Sequence, residues 1–227
     1  MRVIKDKSGH ASPIRSEYDI AEATAITTGA IVKITAGLVV LAAADEATAI
    51  LGIAAEPHGT ADALNQRARG TKLAVFDSPM SVYGAKATVI TATGGTSTTV
   101  ISTSGLVAES GTDTFVDDDF NGGFLKLVEK AAASTNTDPI GTVYKIDDFD
   151  AGDRTFTIPT AGGNVTAGDK FAVFPPFGFV KGNLNAARTG IVYTAVAALP
   201  LQVVGHNIKD DTVEIAPVLH LLGNKKS

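Results

Sequence analysis

The chain contains four histidines, which could serve in acid–base or metal chemistry, and it contains no cysteine. They are His10, His58, His206 and His220. No two of them have the i, i+4 spacing with which a helix presents a pair of histidines to zinc. His206 and His220 lie within or beside apolar segments. This placement favours structural histidines, and a metal site would require them to converge with carboxylates.

Carboxylates are concentrated in two short segments that could bind a hard cation such as calcium. The first holds Asp113, Asp117, Asp118 and Asp119, just before an Asn-Gly turn signal at 121–122. Its spacing differs from that of an EF-hand loop, which ends on a Glu at its twelfth position. The second segment, residues 147–153, predicts a hairpin turn between strands at 144–146 and 155–158. A solvated loop is therefore favoured over a cation site in both segments.

Motifs for phosphate binding or nucleophilic catalysis are absent from the sequence. The glycine pairs at 94–95 and 162–163 belong to neither a GxxxxGK[ST] nor a GxGxxG motif. No GxSxG nucleophile elbow occurs, and the lack of cysteine excludes disulfides, thiolate catalysis and Cys-ligated metals. The sequence therefore predicts no catalytic, cofactor-binding or metal-binding residue and no cofactor, and an enzyme is the least favoured class.

Composition limits the possible partners of these 227 residues. The net charge is −5, and the chain has no basic run beyond Lys225-Lys226, which argues against a nucleic-acid groove. No apolar run approaches the roughly 20 residues that span a bilayer. Residues 1–19 carry charges with no apolar segment after them, so they do not predict a secretory signal. We therefore expect neither nucleic acid nor a membrane as a partner.

Residues 23–58 contain short β-branched segments separated by glycine turns, a pattern typical of a compact antiparallel β fold. Strands are expected at 30–34, 38–41 and 50–54, and further on at 72–76 and 80–83. Segments 201–206 and 212–221 have a similar pattern and are also expected to be strands. The predicted fold class is mainly β: a small antiparallel β-barrel or sandwich domain, built from residues 23–88 and 178–227.

Three further segments are expected around this domain. Residues 113–177 predict an inserted second β module, with strands at 124–128, 140–146, 155–158 and 167–174. The Thr/Ser/Gly-rich stretch 89–112 predicts a junction, which a loop, a linker or exposed strands could form. Residues 60–67 predict a short helical turn capped by Thr60 or Asp62. Residues 1–22 predict either a frayed terminus or an extended N-terminal arm that orders on a neighbouring subunit.

The first strands resemble those of the capsid decoration, or head cement, proteins of tailed bacteriophages. The resemblance lies in TGAIVKI at 28–34, GLVVLA at 37–42 and ILGIA at 50–54, with further support from 201–221. In that family a strand, a short turn and a second strand precede an aliphatic-Gly-aliphatic-Ala strand. This chain is longer than the simplest members, because the inserted module and the arm are additional.

The resemblance implies a virion structural protein without enzymatic activity. Such a protein is assembled in the host cytoplasm, binds the exterior of the expanded bacteriophage capsid and stabilises contacts between major capsid proteins. Its expected partners are the major capsid protein and further copies of itself, as a homotrimer. An arm that orders on binding can cover a large area. The candidate capsid-contact residues of this arm are Val3, Ile4, Ile14, Arg15 and Tyr18.

Two alternatives remain open. One is a neck or tail structural protein of a phage, because the style of the second module also occurs there. The other is a carbohydrate-binding or adhesin-like β module. That second alternative requires exposed aromatic platforms, and a chain with no Trp and four Tyr disfavours it.

Overall fold

The described part of the chain is built from antiparallel β-strands. The computed structural model describes residues 1–6, 15–20, 24–59, 72–103, 115–178, 183–185, 188–192, 199–218 and 221–222, among which no helix occurs. The strands are β1 (Arg2–Asp6), β2 (Arg15–Asp19), β3 (Ile31–Thr35), β4 (Leu38–Leu41), β5 (Gly52–Ala54), β6 (Lys72–Phe76), β7 (Ser81–Lys86), β8 (Thr88–Thr91), β9 (Gly94–Gly95), β10 (Thr99–Ile101), β11 (Phe124–Glu129), β12 (Val143–Lys145), β13 (Asp148–Asp150), β14 (Thr155–Thr157), β15 (Lys170–Phe174), β16 (Asn183–Leu184), β17 (Ile191–Val192), β18 (Leu201–Asn207) and β19 (Thr212–Pro217).

These strands form four main sheets and one two-stranded hairpin. Sheet A has the order β1-β7-β19-β18, and sheet B has the order β2-β6-β5-β3-β4. Sheet C has the order β12-β11-β15-β8, sheet D has the order β13-β14-β10-β9, and β16 pairs with β17. The described strands form no closed barrel. The predicted mainly β fold is therefore confirmed, in the form of stacked open sheets.

The glycine turns of the opening segment form as the sequence predicts. Ala36 and Gly37 both have positive φ, 51° and 82°, and connect β3 to β4 with Thr35 opposite Leu38. Positive φ at both central residues is the geometry of a type I′ turn, whose twist matches that of the flanking strands. Gly52 serves a different purpose, since a Cβ there would lie 2.0 Å from the carbonyl oxygen of Phe76. This close approach of β5 to β6 requires a residue without a side chain.

Sheet C buries apolar side chains on both of its faces and contributes to two separate cores. Side chains alternate along a strand, so β11 and β15 present successive residues to opposite sides. Leu125 and Phe171 lie in a core shared with sheet D, which we call the distal core. Ala172 and Phe174 lie in the central core, which also contains Tyr83 and other residues of sheet A. The predicted second module is therefore packed directly on the first.

Aromatic rings fill one end of the distal core. The ring centroids of Phe120 and Phe149 are 4.8 Å apart in an edge-on arrangement, and Phe156 lies 5.4 Å from Phe120. Phe115 completes the group at 5.3 Å from Phe120. Such edge-on pairs contribute about 0.5–1.5 kcal/mol each beyond the area that they bury.

The N-terminal residues are part of the fold, where a separate arm was expected. β1 pairs with β7, with Val3 opposite Tyr83, and β2 pairs with β6. Main-chain hydrogen bonds to distant strands hold both segments, and such partners are invisible in the local side-chain pattern. Residues 7–14 lie outside the described residues, as do the helical turn expected at 60–67 and part of the expected junction, 104–114.

Two further segments form strands. The stretch 89–112 was expected to be a junction in the form of a loop, a linker or exposed strands, and its described part takes the strand form. β8 pairs with β15, β10 pairs with β14 and β9 pairs with β10, so residues 88–101 belong to sheets C and D. The acidic segment 147–153 was expected to form only a turn, but Asp148–Asp150 is strand β13. The hairpin turn to β14 occupies residues 151–154, and Phe149 is the buried side chain of β13.

Candidate interaction surface

The candidate contact residues of the predicted arm separate into inward and outward groups. Val3 packs against the central core, on the same side of sheet A as Tyr83. Ile4 lies on the other face, is 37% exposed, and covers Gly84, where an added Cβ would meet its Cδ1 at 2.6 Å. Arg15 is exposed on the edge strand β2. Ile14 lies outside the described residues.

Tyr18, the fifth candidate, is half-buried and makes its contacts within the fold. Its side chain packs against the core of sheet B, and its hydroxyl donates a hydrogen bond of 2.5 Å to Oδ2 of Asp77. Burial, together with the hydrogen bond and the charge of Asp77, raises the pKa of Tyr18 to about 12. Tyr18 therefore fixes the edge strand β2 to the segment that follows β6.

A cleft of about 710 Å³ lies beside β1, between β7 and the β16–β17 hairpin. Arg2, Lys86, Asn185 and Asp210 are among its lining residues. Lys86 Nζ donates a hydrogen bond to the carbonyl oxygen of Asp210 at 3.2 Å. Two lining residues of the cleft are therefore bonded to each other. The described residues that line it include no histidine or carboxylate pair in the arrangement of a general acid and base.

The two described histidines are both held by backbone carbonyls. Nδ1 of His58 lies 2.9 Å from the carbonyl oxygen of Thr24, and Nε2 of His206 lies 2.7 Å from that of Pro175. Burial lowers the pKa of His206, an effect that the hydrogen bond to Pro175 opposes. Both arrangements are those of structural histidines, while His10 and His220 lie outside the described residues.

The described aspartates of the first acidic segment stabilise a turn. Asp117 accepts a hydrogen bond from the backbone N–H of Ala151 at 3.0 Å, and Asp119 accepts one from that of Val116 at 2.9 Å. Asp118 accepts from the side-chain amide of Asn121. Among the described residues, no three His, Cys, Asp or Glu side chains form a group that could hold a metal ion. Asp113 lies outside them.

Phe177 is the most exposed large apolar side chain in the described part of the chain, at 71%. Its ring stacks on His206, with centroids 5.1 Å apart and planes 26° from parallel. The short segment that carries it is fixed to β18, because Gly178 N–H donates to Val203 at 2.9 Å and His206 binds Pro175. The edge of sheet A, to which this segment is hydrogen-bonded, therefore presents an aromatic ring to solvent.

Sequence reasoning missed Phe177, although a signal for it exists. Residues 175–176 are both proline, and they end β15 immediately before an aromatic residue. Because proline cannot continue a strand interior, the next side chain is free to leave the core that Phe174 enters. Phe174 is therefore buried, whereas Phe177, three residues later, is exposed.

Comparisons of the chain with protein-family models, curated proteins and solved structures find no match. Within the described residues there is no helix of the length and apolarity needed to cross a membrane.

Proposed function

We propose that this chain is a virion structural protein that binds the outside of an expanded bacteriophage capsid and stabilises contacts between major capsid proteins. The observation that carries the proposal furthest is Phe177, an exposed ring that stacks on His206 at the edge of sheet A. A few large side chains, often aromatic, carry most of the binding energy of a protein interface. The resemblance of residues 28–54 to decoration proteins supplies the identity of the partner.

The described histidines and acidic turn residues have structural roles. The histidines and the acidic turn residues discussed above are occupied by hydrogen bonds that hold loops and turns. A protein that binds only the expanded lattice stabilises that state by mass action. If three copies act as a homotrimer, modest contacts at each site combine through avidity.

Cosedimentation with capsids tests the proposal. Purified protein is mixed with procapsids and with expanded shells of the phage that encodes it, and the pelleted protein is quantified. We expect binding to the expanded shells only. Binding to neither form would refute the proposal. Binding to isolated tails would establish the neck or tail alternative instead, and binding to a glycan array would establish the adhesin-like one.

A pair of point substitutions locates the contact. Phe177→Ser removes the exposed ring, and we expect the affinity for expanded shells to fall about tenfold or more, because truncated aromatic anchors typically cost about 2 kcal/mol. Ile140→Ser is the matched control, since Ile140 is 61% exposed in the turn before β12, at the edge of sheet C. Equal affinities for the two variants would remove Phe177 from the interface. Point substitutions are preferred to deletion of residues 1–20, because that deletion would remove β1 and β2.

A further inference from the structure

Three buried polar atoms near the start of β7 have no hydrogen-bond partner among the described residues. They are Oδ1 of Asp77, Oγ of Ser81 and the hydroxyl of Tyr83. Ser81 and Tyr83 are fully buried, and Asp77 is 4% exposed. More than nine-tenths of buried polar groups in proteins are paired, with protein atoms or with ordered water. Three such atoms lie within seven residues along the chain, and one shared partner would satisfy all of them.

Two of these groups share one face of β7, and the third precedes the turn into that strand. Ser81 and Tyr83 are two residues apart on β7, so their side chains leave the strand on the same face, which faces the central core. Asp77 immediately precedes the turn that leads into β7, and this turn is closed by a hydrogen bond of 3.0 Å from Ser81 N–H to the carbonyl of Ser78. Burial and the nearby charge of Asp77 both raise the pKa of Tyr83. The carboxylate and the phenol are thus close enough to interact through space without being hydrogen-bonded.

The chemistry of the three atoms defines what can join them. The other oxygen of Asp77 already accepts a hydrogen bond from Tyr18. When the carboxylate is ionised, Oδ1 can accept hydrogen bonds but cannot donate one. The two hydroxyls can each donate and accept. A water molecule donates two hydrogen bonds and accepts two, and buried waters typically make about three. A calcium ion would need about six to eight oxygen ligands, more than the three unpartnered atoms provide.

We propose that a buried water molecule binds among Asp77, Ser81 and Tyr83. This water completes a connection from Tyr18 of β2 through Asp77 to Tyr83 of β7. Sheets A and B are then joined by hydrogen bonds at a point where no strand pairs across them. The site lies in the interior and is independent of the proposed capsid contact.

A crystal structure of the full chain at a resolution that shows ordered water tests the site directly. We expect one density peak at about 2.7–3.2 Å from Oδ1 of Asp77 and from at least one of the two hydroxyls. An empty site, or direct hydrogen bonds among the three side chains, would overturn the proposal. A peak with ligand distances near 2.4 Å would also overturn it, because that spacing identifies a metal ion.

Tyr83→Phe gives a second test, in which the direction of the change in stability distinguishes a paired hydroxyl from an unpaired one. If water satisfies the hydroxyl, removing it breaks a hydrogen bond, and we expect the unfolding equilibrium constant to rise about threefold or more. If the hydroxyl is truly unpaired, its removal leaves stability unchanged or increases it, which contradicts the proposal. Tyr144→Phe is the matched control, because the Tyr144 hydroxyl donates directly to Asp138 at 2.7 Å and its loss must destabilise in either case.

Discussion

Glu46 offers the sharpest test of how a buried charge stabilises this fold. Its side chain is 2% exposed, in the loop between β4 and β5. One oxygen lies 2.7 Å from Nζ of Lys33 and accepts from Ala43 N–H at 2.8 Å. The other accepts from the backbone N–H and the hydroxyl of Thr48. Glu46→Gln keeps the size of the side chain and removes its charge.

The size of the effect follows from the proton affinity of Glu46. Burial raises its pKa, but Lys33, Thr48 and the two backbone N–H groups outweigh burial and lower the pKa from 4.5 to about 2. At ~1.36 kcal/mol per pKa unit, the ionised form is worth at most about 3 kcal/mol of folding free energy. Because the pKa of the folded state is the lower one, this stability is present above pH 4.5 and is lost as the pH falls towards 2. About 2 kcal/mol of it is gone at pH 3.

Urea denaturation of the wild type and of Glu46→Gln, at several pH values between 7 and 3, measures this contribution. We expect the variant to be less stable by about 2–3 kcal/mol at pH 7, with a difference that shrinks to about 1 kcal/mol at pH 3. Glu129→Gln is the control, since Glu129 pairs with Lys170 on the surface and should change stability by less than about 1 kcal/mol. If the curves of the wild type and Glu46→Gln run parallel from pH 6 to pH 3, the reasoning is refuted.

Two more substitutions test the packing between strands and between modules. Gly52→Ala places a Cβ 2.0 Å from the carbonyl oxygen of Phe76, and we expect a loss of roughly 3 kcal/mol or more, visible as a lower thermal midpoint. Gly94→Ala, where nothing lies within 4 Å of the new Cβ, should stay within about 1 kcal/mol, and equal losses would contradict the steric argument. Lys126→Met removes a charged hydrogen bond of 2.7 Å to Asp211, and we expect about 1.5–3 kcal/mol less stability in urea. An unchanged urea midpoint would show that this contact does not stabilise the junction of sheets A and C.

Strands with a strong local pattern were predictable from the sequence. The expected strands at 38–41 and 72–76 coincide with β4 and β6, and the expected strand at 30–34 overlaps β3. These segments are rich in β-branched residues, and Gly37 marks a turn that tolerates few other residues. Local chemistry and the global fold agree at these positions.

Polar strands were not predictable, because distant partners determine them. β1 reads Arg-Val-Ile-Lys-Asp, and its position depends on pairing with β7, about 80 residues away. β13 has aspartates at both ends and buries only Phe149, so its sequence is equally compatible with a turn. The full burial of Tyr83 likewise reflects packing that no local pattern encodes.

The double role of sheet C determines how the whole molecule can bind a partner. Ala172 and Phe174 belong to the central core, while Phe171 and Val173 on the same strand belong to the distal core. Lys126, from the neighbouring strand of that sheet, also reaches the turn between β18 and β19. Since both cores share one sheet, the second module cannot rotate freely about a linker. A surface on sheet D is therefore held at a fixed distance from the exposed ring at the edge of sheet A, and a partner that contacts both must match that spacing.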